Sequence, residues 1–480
     1  MSERDAGSWS LRRGRDMATF ESAWRDLTAA LEGEVVLPGS PRYDEVRRPQ
    51  IPRFHDVRPQ AVVLCRRPGD VVEAIAFARR SGIEVAIRSG GHDFAGRSSG
   101  PGMVLDLTPM RSLEVSDGLA TVGPGVRLGD LYAAVAQHEV AIPAGCGATV
   151  GIGGQALGGG LGLLGRSRGL TSDQMVAAEV VLADGRVVEC DEQGHEDLFW
   201  ALRGAGARGL GVVTRLTLRT LPEPAATSFH LTWPYEPASA LIAAWQGWSP
   251  TGPDGLAASL LVTAGGDAGA DPVVHLFGSM IGGESEAAAL LDEFVSVAGA
   301  DPASSERAHL RYGSLKNHLA ERGPGDQEDE NGRQYVKSEF FRAPLPAGAV
   351  EALVERFARG RRTGEARKLD FMPWGGAYNR VPAAATAFVH RDARFQLKHA
   401  AVVDPQASNA ATQAAHRWVT RSWAVVHPWG SGRVFPNFAD PDLDDWAHAY
   451  YGSNYDRLVR IKARYDPAGL FHFHQSLPAG

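Results

Sequence analysis

Short runs of β-branched and aliphatic residues, separated by turn residues, dominate the first half of the chain. Ala61–Cys65 is the first clear one. Pro68-Gly69-Asp70 follows it and opens a stretch with Val71, Val72, Ala74, Ile75, Ala76 and Phe77 at helical spacing, so the pattern predicts strand, capped helix, and a second strand over Ile83–Ile87. Met103–Leu107, Leu113–Val115 and Leu119–Val122 read as further strands, and Leu128–His138 as a helix. Ser172–Ala183 and Arg186–Glu189 read as strands about the turn Ala183-Asp184-Gly185, Asp197–Leu202 as a short helix and Gly209–Leu218 as a strand. After Leu221-Pro222-Glu223-Pro224 the composition shifts to alanine-rich helices and spaced strands, which marks a domain boundary. Beyond it, Phe395–Val403 reads as a strand, Tyr450 lies on a helix running toward Lys462, and His472-Phe473-His474 reads as a chain-terminal strand. Acidic, glycine-containing Gly323–Arg333 reads as an exposed loop. The fold class is α+β.

Two glycine-rich segments interrupt this pattern. The first, Ile87-Arg88-Ser89-Gly90-Gly91-His92, puts consecutive glycines and a histidine at the C-terminal end of a strand, where α/β folds tend to bind ligands. Without Cβ atoms, Gly90 and Gly91 can turn their N–H groups toward an anion. Taken alone, Gly-Gly-His is equally a tight turn with a solvent-facing histidine. The second segment lies within Val140–Gly165, which carries no charged residue. Its glycine density argues against a membrane span and for close wrapping of a large ligand. The cluster Gly151–Gly162 contains a nominal Gly-x-Gly-x-x-Ala match, but Pro143-Ala144-Gly145-Cys146-Gly147 before it does not read as a strand, so a Rossmann site is rejected.

A length of 480 residues implies two or three domains. The net charge of -7 argues against nucleic acid as a partner, and Arg12, Arg13 and Arg15 are too few to reverse that. Cys65, Cys146 and Cys190 are odd in number and lack metal-ligand spacing, so neither a disulfide framework nor a metal site is indicated. His472 and His474 have no third ligand nearby in sequence. Met1-Ser2-Glu3-Arg4-Asp5 continues charged with no apolar h-region, which argues against a secretory signal and predicts a cytoplasmic protein.

Several segments together carry a resemblance. Arg88–His92, Thr149–Gly162, Asp197-Leu198-Phe199-Trp200-Ala201-Leu202-Arg203-Gly204, Gly211-Val212-Val213-Thr214 and the tail from Tyr465-Asp466-Pro467 to Gln475-Ser476 resemble berberine bridge enzyme-like FAD-linked oxidases of the vanillyl-alcohol-oxidase, PCMH-type superfamily. The matches fall in the family's order, best over residues 60–220 and 435–478. The middle region matches mainly through Gly375-Gly376-Ala377 and Thr386–Arg391. The resemblance implies a FAD-binding domain in two parts, 1–224 and 433–480, with a substrate domain inserted at 225–432 that contains an antiparallel sheet. It further implies FAD bonded covalently through His92. Arg88, Ser89, Gly90 and Gly91 would hold the pyrophosphate through backbone N–H groups, with Gly96, Ser98, Thr149, Val150, Gly151, Gly153, Gly154, Gly162, Val213 and Asn437 around the rest of the cofactor.

Two departures qualify this reading. Many relatives carry a second flavin link through a cysteine in Cys-Pro-Thr-Val-Gly, but here Cys146-Gly147-Ala148-Thr149-Val150-Gly151 sets the thiol one residue early, so Cys146 is either a second attachment point or a small packed thiol. Many relatives also place a catalytic tyrosine where this chain has Phe438, in Pro436-Asn437-Phe438. His399, alternating onto the same face as Leu397, is one replacement base or else a packed core histidine; Tyr378 and Tyr450 are others. The reaction implied is hydride removal from an alcohol or amine carbon of a small molecule, with electrons passing to dioxygen to give hydrogen peroxide, in secondary-metabolite tailoring. Sugar oxidation, a dehydrogenase or oxygenase on the same fold, and a flavinylated binding protein without turnover are the alternatives.

Overall fold

The computed structural model describes residues 22–206, 209–322 and 332–479. The arginine-rich start and all but the last two residues of the expected loop Gly323–Arg333 lie outside them. Glu34–Val36 (β1), Ala61–Leu64 (β2), Val85–Arg88 (β3) and Met103–Asp106 (β4) form a sheet ordered β1-β2-β4-β3, parallel across β2, β4 and β3. Helix Pro68–Ser81 crosses between β2 and β3 as the pattern predicts, ending at Gly82, whose φ of +63° suits glycine. Asp70 opens that helix by accepting from the backbone N–H groups of Arg66 and Glu32.

The next layer is an antiparallel sheet of Leu113–Ser116 (β5), Leu119–Val122 (β6), Met175–Val181 (β8), Val187–Cys190 (β9) and Val212–Arg219 (β10), ordered β5-β6-β10-β8-β9. Val140–Ala141 (β7) pairs instead with Leu221–Pro222 (β11). The expected strand from Ser172 begins only at Met175, because Thr171–Gln174 is a 3-10 turn in which Asp173 accepts from Leu170 N–H and pairs with Arg391. The strand expected from Gly209 starts at Val212, since Gly209 and Gly211 hold positive φ.

The third sheet is antiparallel and seven-stranded: Ala225–Pro234 (β12), Leu256–Ala264 (β13), Val273–Ile281 (β14), Ser304–Arg311 (β15), Arg333–Phe341 (β16), Glu365–Pro373 (β17) and Phe395–Val403 (β18), ordered β15-β12-β14-β13-β17-β18-β16. One face buries Leu231, Trp233, Leu260, Val262, Leu276, Phe371 and Leu397 together with residues of helices Ala238–Trp248, Glu284–Ala298, Ala347–Ala358 and Asn409–Val426. Period-two alternation therefore turns Lys368, Asp370, Met372 and Lys398 to the other face.

Residues near the C-terminus pack into the core of the second layer, where Val434, Tyr450, Leu458 and Leu477 join Val122, Phe199 and Leu216. A buried ion pair reinforces the junction: Lys462 Nζ lies 2.5 Å from Asp466 and donates to the carbonyls of Gly209 and Phe471. Removing one partner of such a pair costs about 3–5 kcal/mol. The helix expected through Tyr450 toward Lys462 is broken at Gly452, with φ +47°, where a Cβ would collide with Arg433. His472-Phe473-His474 forms no strand; His472 and Phe473 are irregular and a turn begins at His474, beside the cavity described next. Among the described residues no helix is long and apolar enough to cross a membrane.

Candidate active site

A cavity of about 820 Å³ lies between the glycine loops and the polar face of the seven-stranded sheet. Its loop side is the turn after β3, Ser89-Gly90-Gly91-His92, and the second glycine segment, with Gly145, Cys146, Val150, Gly151, Gly153, Gly154 and Gly162. These loops meet backbone to backbone. A Cβ on Gly90 would stand 2.2 Å from Gly151 N, one on Gly153 2.8 Å from Pro124, and one on Gly162 1.9 Å from Ala144 O. Gly91 holds φ +76°. Glycine is thus required by close approach, and the groove it leaves is bounded by main chain.

His92 faces this groove, with Nε2 3.0 Å from Thr149 Oγ1. Burial pushes its pKa down to about 4, so the imidazole is neutral near pH 7. Ser89 also lines the groove, with its hydroxyl donating to Pro124 O. Arg88 does not line it: its guanidinium is buried behind the turn, paired with Asp106 at 2.7 Å and donating to the carbonyls of Arg47 and Val46. Its side chain therefore fixes the base of the loop. Gly96 likewise stands off the cavity, at φ +78° where a Cβ would strike the ring of Phe54. Thr149 acts through its contact with His92 rather than by lining the wall.

Val213 and Asn437 line the cavity, Asn437 donating to Gln155 O at 2.9 Å. Cys146 lines it too, and is exposed. Several polar atoms of the cavity lining are buried without a partner in the protein, among them the Ser98 and Ser99 hydroxyls and both side-chain amide atoms of Gln155. Orphaned polar atoms beside a main-chain groove suit a large polar ligand that supplies the missing bonds. The residues present therefore fit a dinucleotide cofactor.

The three catalytic candidates separate. Tyr378 lines the cavity, but its phenol donates to Gly162 O (3.1 Å) and accepts from Gly162 N–H (3.2 Å), and burial raises its pKa well above 10. It positions the glycine loop. His399 corrects the sequence expectation: it does share a face with Leu397, but that face is the core side, where Nδ1 meets Ser422 Oγ at 2.9 Å and burial pushes the pKa down to about 3. Tyr450 is also withdrawn from the cavity, its hydroxyl bonded to the backbone of Asp440. Neither His399 nor Tyr450 reaches the cavity.

The charged residues that do reach it from the sheet are Lys368, Asp370 and Lys398. Asp370 is cross-strand to Lys398, and their charged groups are 3.3 Å apart. The Lys398 ammonium also lies over the ring of Phe438, 5.0 Å from its centre. The alternation of Lys368, Asp370 and Met372 with Leu369 and Phe371 was a readable signal for this wall.

Comparison with known proteins accords with the site. Residues 59–191 match the model of an FAD binding domain, and residues 434–478 the model described as berberine and berberine like. The chain is 31% identical over 455 residues to the FAD-linked oxidoreductase YvdP of Bacillus subtilis (strain 168), covering 93% of this chain and 98% of that one. The structure of wild-type BBE-like 1 from Physcomitrella patens superposes with a TM-score of 0.85 at 27% identity, covering 95% of this chain and 99% of that one. A chitooligosaccharide oxidase superposes with a TM-score of 0.83 at 26% identity, with the same coverages. With both domain matches in the order read from its motifs and a relative aligned over nearly its whole length, this chain belongs to the berberine bridge enzyme-like family of FAD-linked oxidoreductases.

Proposed function

We propose that this FAD-dependent enzyme is a covalently flavinylated oxidase. It takes a hydride from an alcohol or amine carbon of a small molecule, passes the electrons to dioxygen to give hydrogen peroxide, and serves in secondary-metabolite tailoring. The observation that carries the reading is the Asp370–Lys398 pair on the wall opposite the glycine loops. When bound, FAD accepts the hydride and hands the electrons on. The chain's own residues divide the remaining work. His92, neutral and held at Nε2 by Thr149, keeps Nδ1 for the covalent link, and Cys146 stands on the same groove for a second. Asp370 receives the hydroxyl or ammonium proton of the substrate, a role Phe438 cannot fill, while Lys398 holds the carboxylate in place. In this reading 1–224 and 433–480 hold the cofactor and 225–432 shapes the substrate side.

The test is to photoreduce the flavin under argon and mix it with air-saturated buffer. Rapid return of the oxidised spectrum with one peroxide per flavin supports an oxidase; reoxidation only by a quinone or dye makes it a dehydrogenase. Anaerobic bleaching by alcohols or amines then establishes turnover and excludes a mere binding protein. The likeness to a chitooligosaccharide oxidase supports a second reading, sugar oxidation, which predicts bleaching by oligosaccharides.

A further inference from the structure

We propose that Arg97 holds the diphosphate of FAD, with the hydroxyls of Ser98 and Ser99 completing the contact. The proposal concerns the cofactor alone and does not depend on the reaction it carries out. FAD bears its negative charge on the diphosphate, and a guanidinium matches phosphate oxygens through its planar fork of N–H groups. The Arg88 guanidinium does not supply that charge, because it is buried behind the glycine turn and paired with Asp106 at 2.7 Å. Arg97 does line the cavity, and the loop that carries it is the one that carries Gly90, Gly91 and His92.

The loop is folded so that this guanidinium is presented. Asp93 Oδ1 accepts from the backbone N–H groups of Ala95 and Arg97, at 2.9 and 3.1 Å, and Gly96 N–H donates to Asp93 O. The chain turns back, and His92, Arg97, Ser98 and Ser99 all line the cavity. The Arg97 side chain is only 8% exposed. Its Nη2 donates to Gln475 Oε1 at 3.2 Å, and the guanidinium lies over the ring of Phe473, 5.3 Å from the centre. Arg97 lies in the first segment matched to an FAD-binding family and both of these partners in the second, so the guanidinium stands where the two parts meet. The carboxylate that pairs with it, Asp93 Oδ2, is 3.8 Å from Nη1, beyond hydrogen-bond distance. Arg97 Nε is buried with no acceptor in the protein, and the hydroxyls of Ser98 and Ser99 are buried without a partner as well. Unfilled donors on three adjacent residues of one cavity wall fit an anion rich in oxygen, which accepts from all of them.

The experiment records phosphorus NMR spectra of the holoenzyme, in which the diphosphate resonances respond to the charge beside them whether or not the flavin is covalently held. Arg97→Met is expected to move at least one resonance by more than its linewidth, and Arg97→Lys, which keeps the charge without the fork, to move it less. Flavin per chain is measured in each variant. If Arg97→Met loses its flavin, retention in Arg97→Lys supports the proposal equally, because charge separates the two. Resonances unmoved by Arg97→Met, equal shifts from Arg97→Met and Arg97→Lys, or loss of flavin from both variants would overturn the proposal and leave Arg97 a bridge between loop and tail. Failure of the oxidase reading shows separately, in the reoxidation of the photoreduced flavin by air.

Discussion

Lys316 Nζ lies 3.6 Å from Cys146 Sγ and donates to the carbonyls of Ala144 and Gly145, clamping the loop that carries the thiol. The ammonium is buried between the rings of Tyr132 and Tyr312, and that burial lowers its pKa. Helix Tyr312–Arg322 thereby reaches out of the seven-stranded-sheet region to fix a loop of the cavity wall. Lys316→Met would strand two loop carbonyls, and the expected cost is about 1–3 kcal/mol in urea unfolding. If Cys146 bonds flavin, peptide mapping should also show that link reduced while a link at His92 persists. Unchanged stability and an unchanged map would mean that the clamp is idle.

Covalent attachment is read directly from the mass of the acid-denatured protein. Wild type should retain the mass of one FAD. Loss of flavin from His92→Ala alone would make Cys146 a bystander in its loop. Retention in each single variant, with loss only when His92→Ala and Cys146→Ala are combined, would establish double attachment. Wild-type protein that releases all its flavin in acid would refute attachment through either residue.

Much of the architecture was legible in the chain because it obeys simple periods. The β2–helix–β3 unit follows its apolar pattern closely, and Gly90, Gly91 and Gly151 mark the loop side of the cavity through what they lack. The misplaced base candidate has a simple cause, that period two tells which residues share a face but not which face meets the ligand. Leu397 and His399 do share a face, yet it is the core face, so the cavity side fell to Lys398, whose charge reads in isolation as solvent exposure. The Arg88 side chain is a matter of tertiary pairing that spacing does not carry: its partner Asp106 comes from the adjacent strand and draws the guanidinium behind the loop.

His399 should make the protein acid-sensitive. Its folded pKa of about 3 lies below the ordinary value near 6.5, so between those limits the unfolded chain binds the extra proton. Stability from this source is fully present above about pH 6.5 and is lost as pH falls toward 3, at up to about 1.4 kcal/mol per pH unit. Urea unfolding at several pH values across that window should give a steeper slope for wild type than for His399→Gln, which retains a polar partner for Ser422 but does not titrate. Superimposable slopes would show that the imidazole is solvated or already charged in the folded state.

Asp370 offers the sharpest test of the chemistry, because its removal should separate proton transfer from cofactor function. Asp370→Asn preserves size and can still touch Lys398, but an amide cannot take the substrate's proton. With a substrate that bleaches the wild-type flavin, kcat should fall by about 10²- to 10⁴-fold, the usual contribution of a general base. Flavin content and the rate at which air reoxidises photoreduced flavin should stay as in wild type, since neither step uses this carboxylate. Asp370→Glu should recover part of the loss. A KM increase with kcat intact would instead assign Asp370 to substrate binding, and activity retained within about tenfold would move the proton acceptor elsewhere in the cavity, with Tyr378 the next residue to vary.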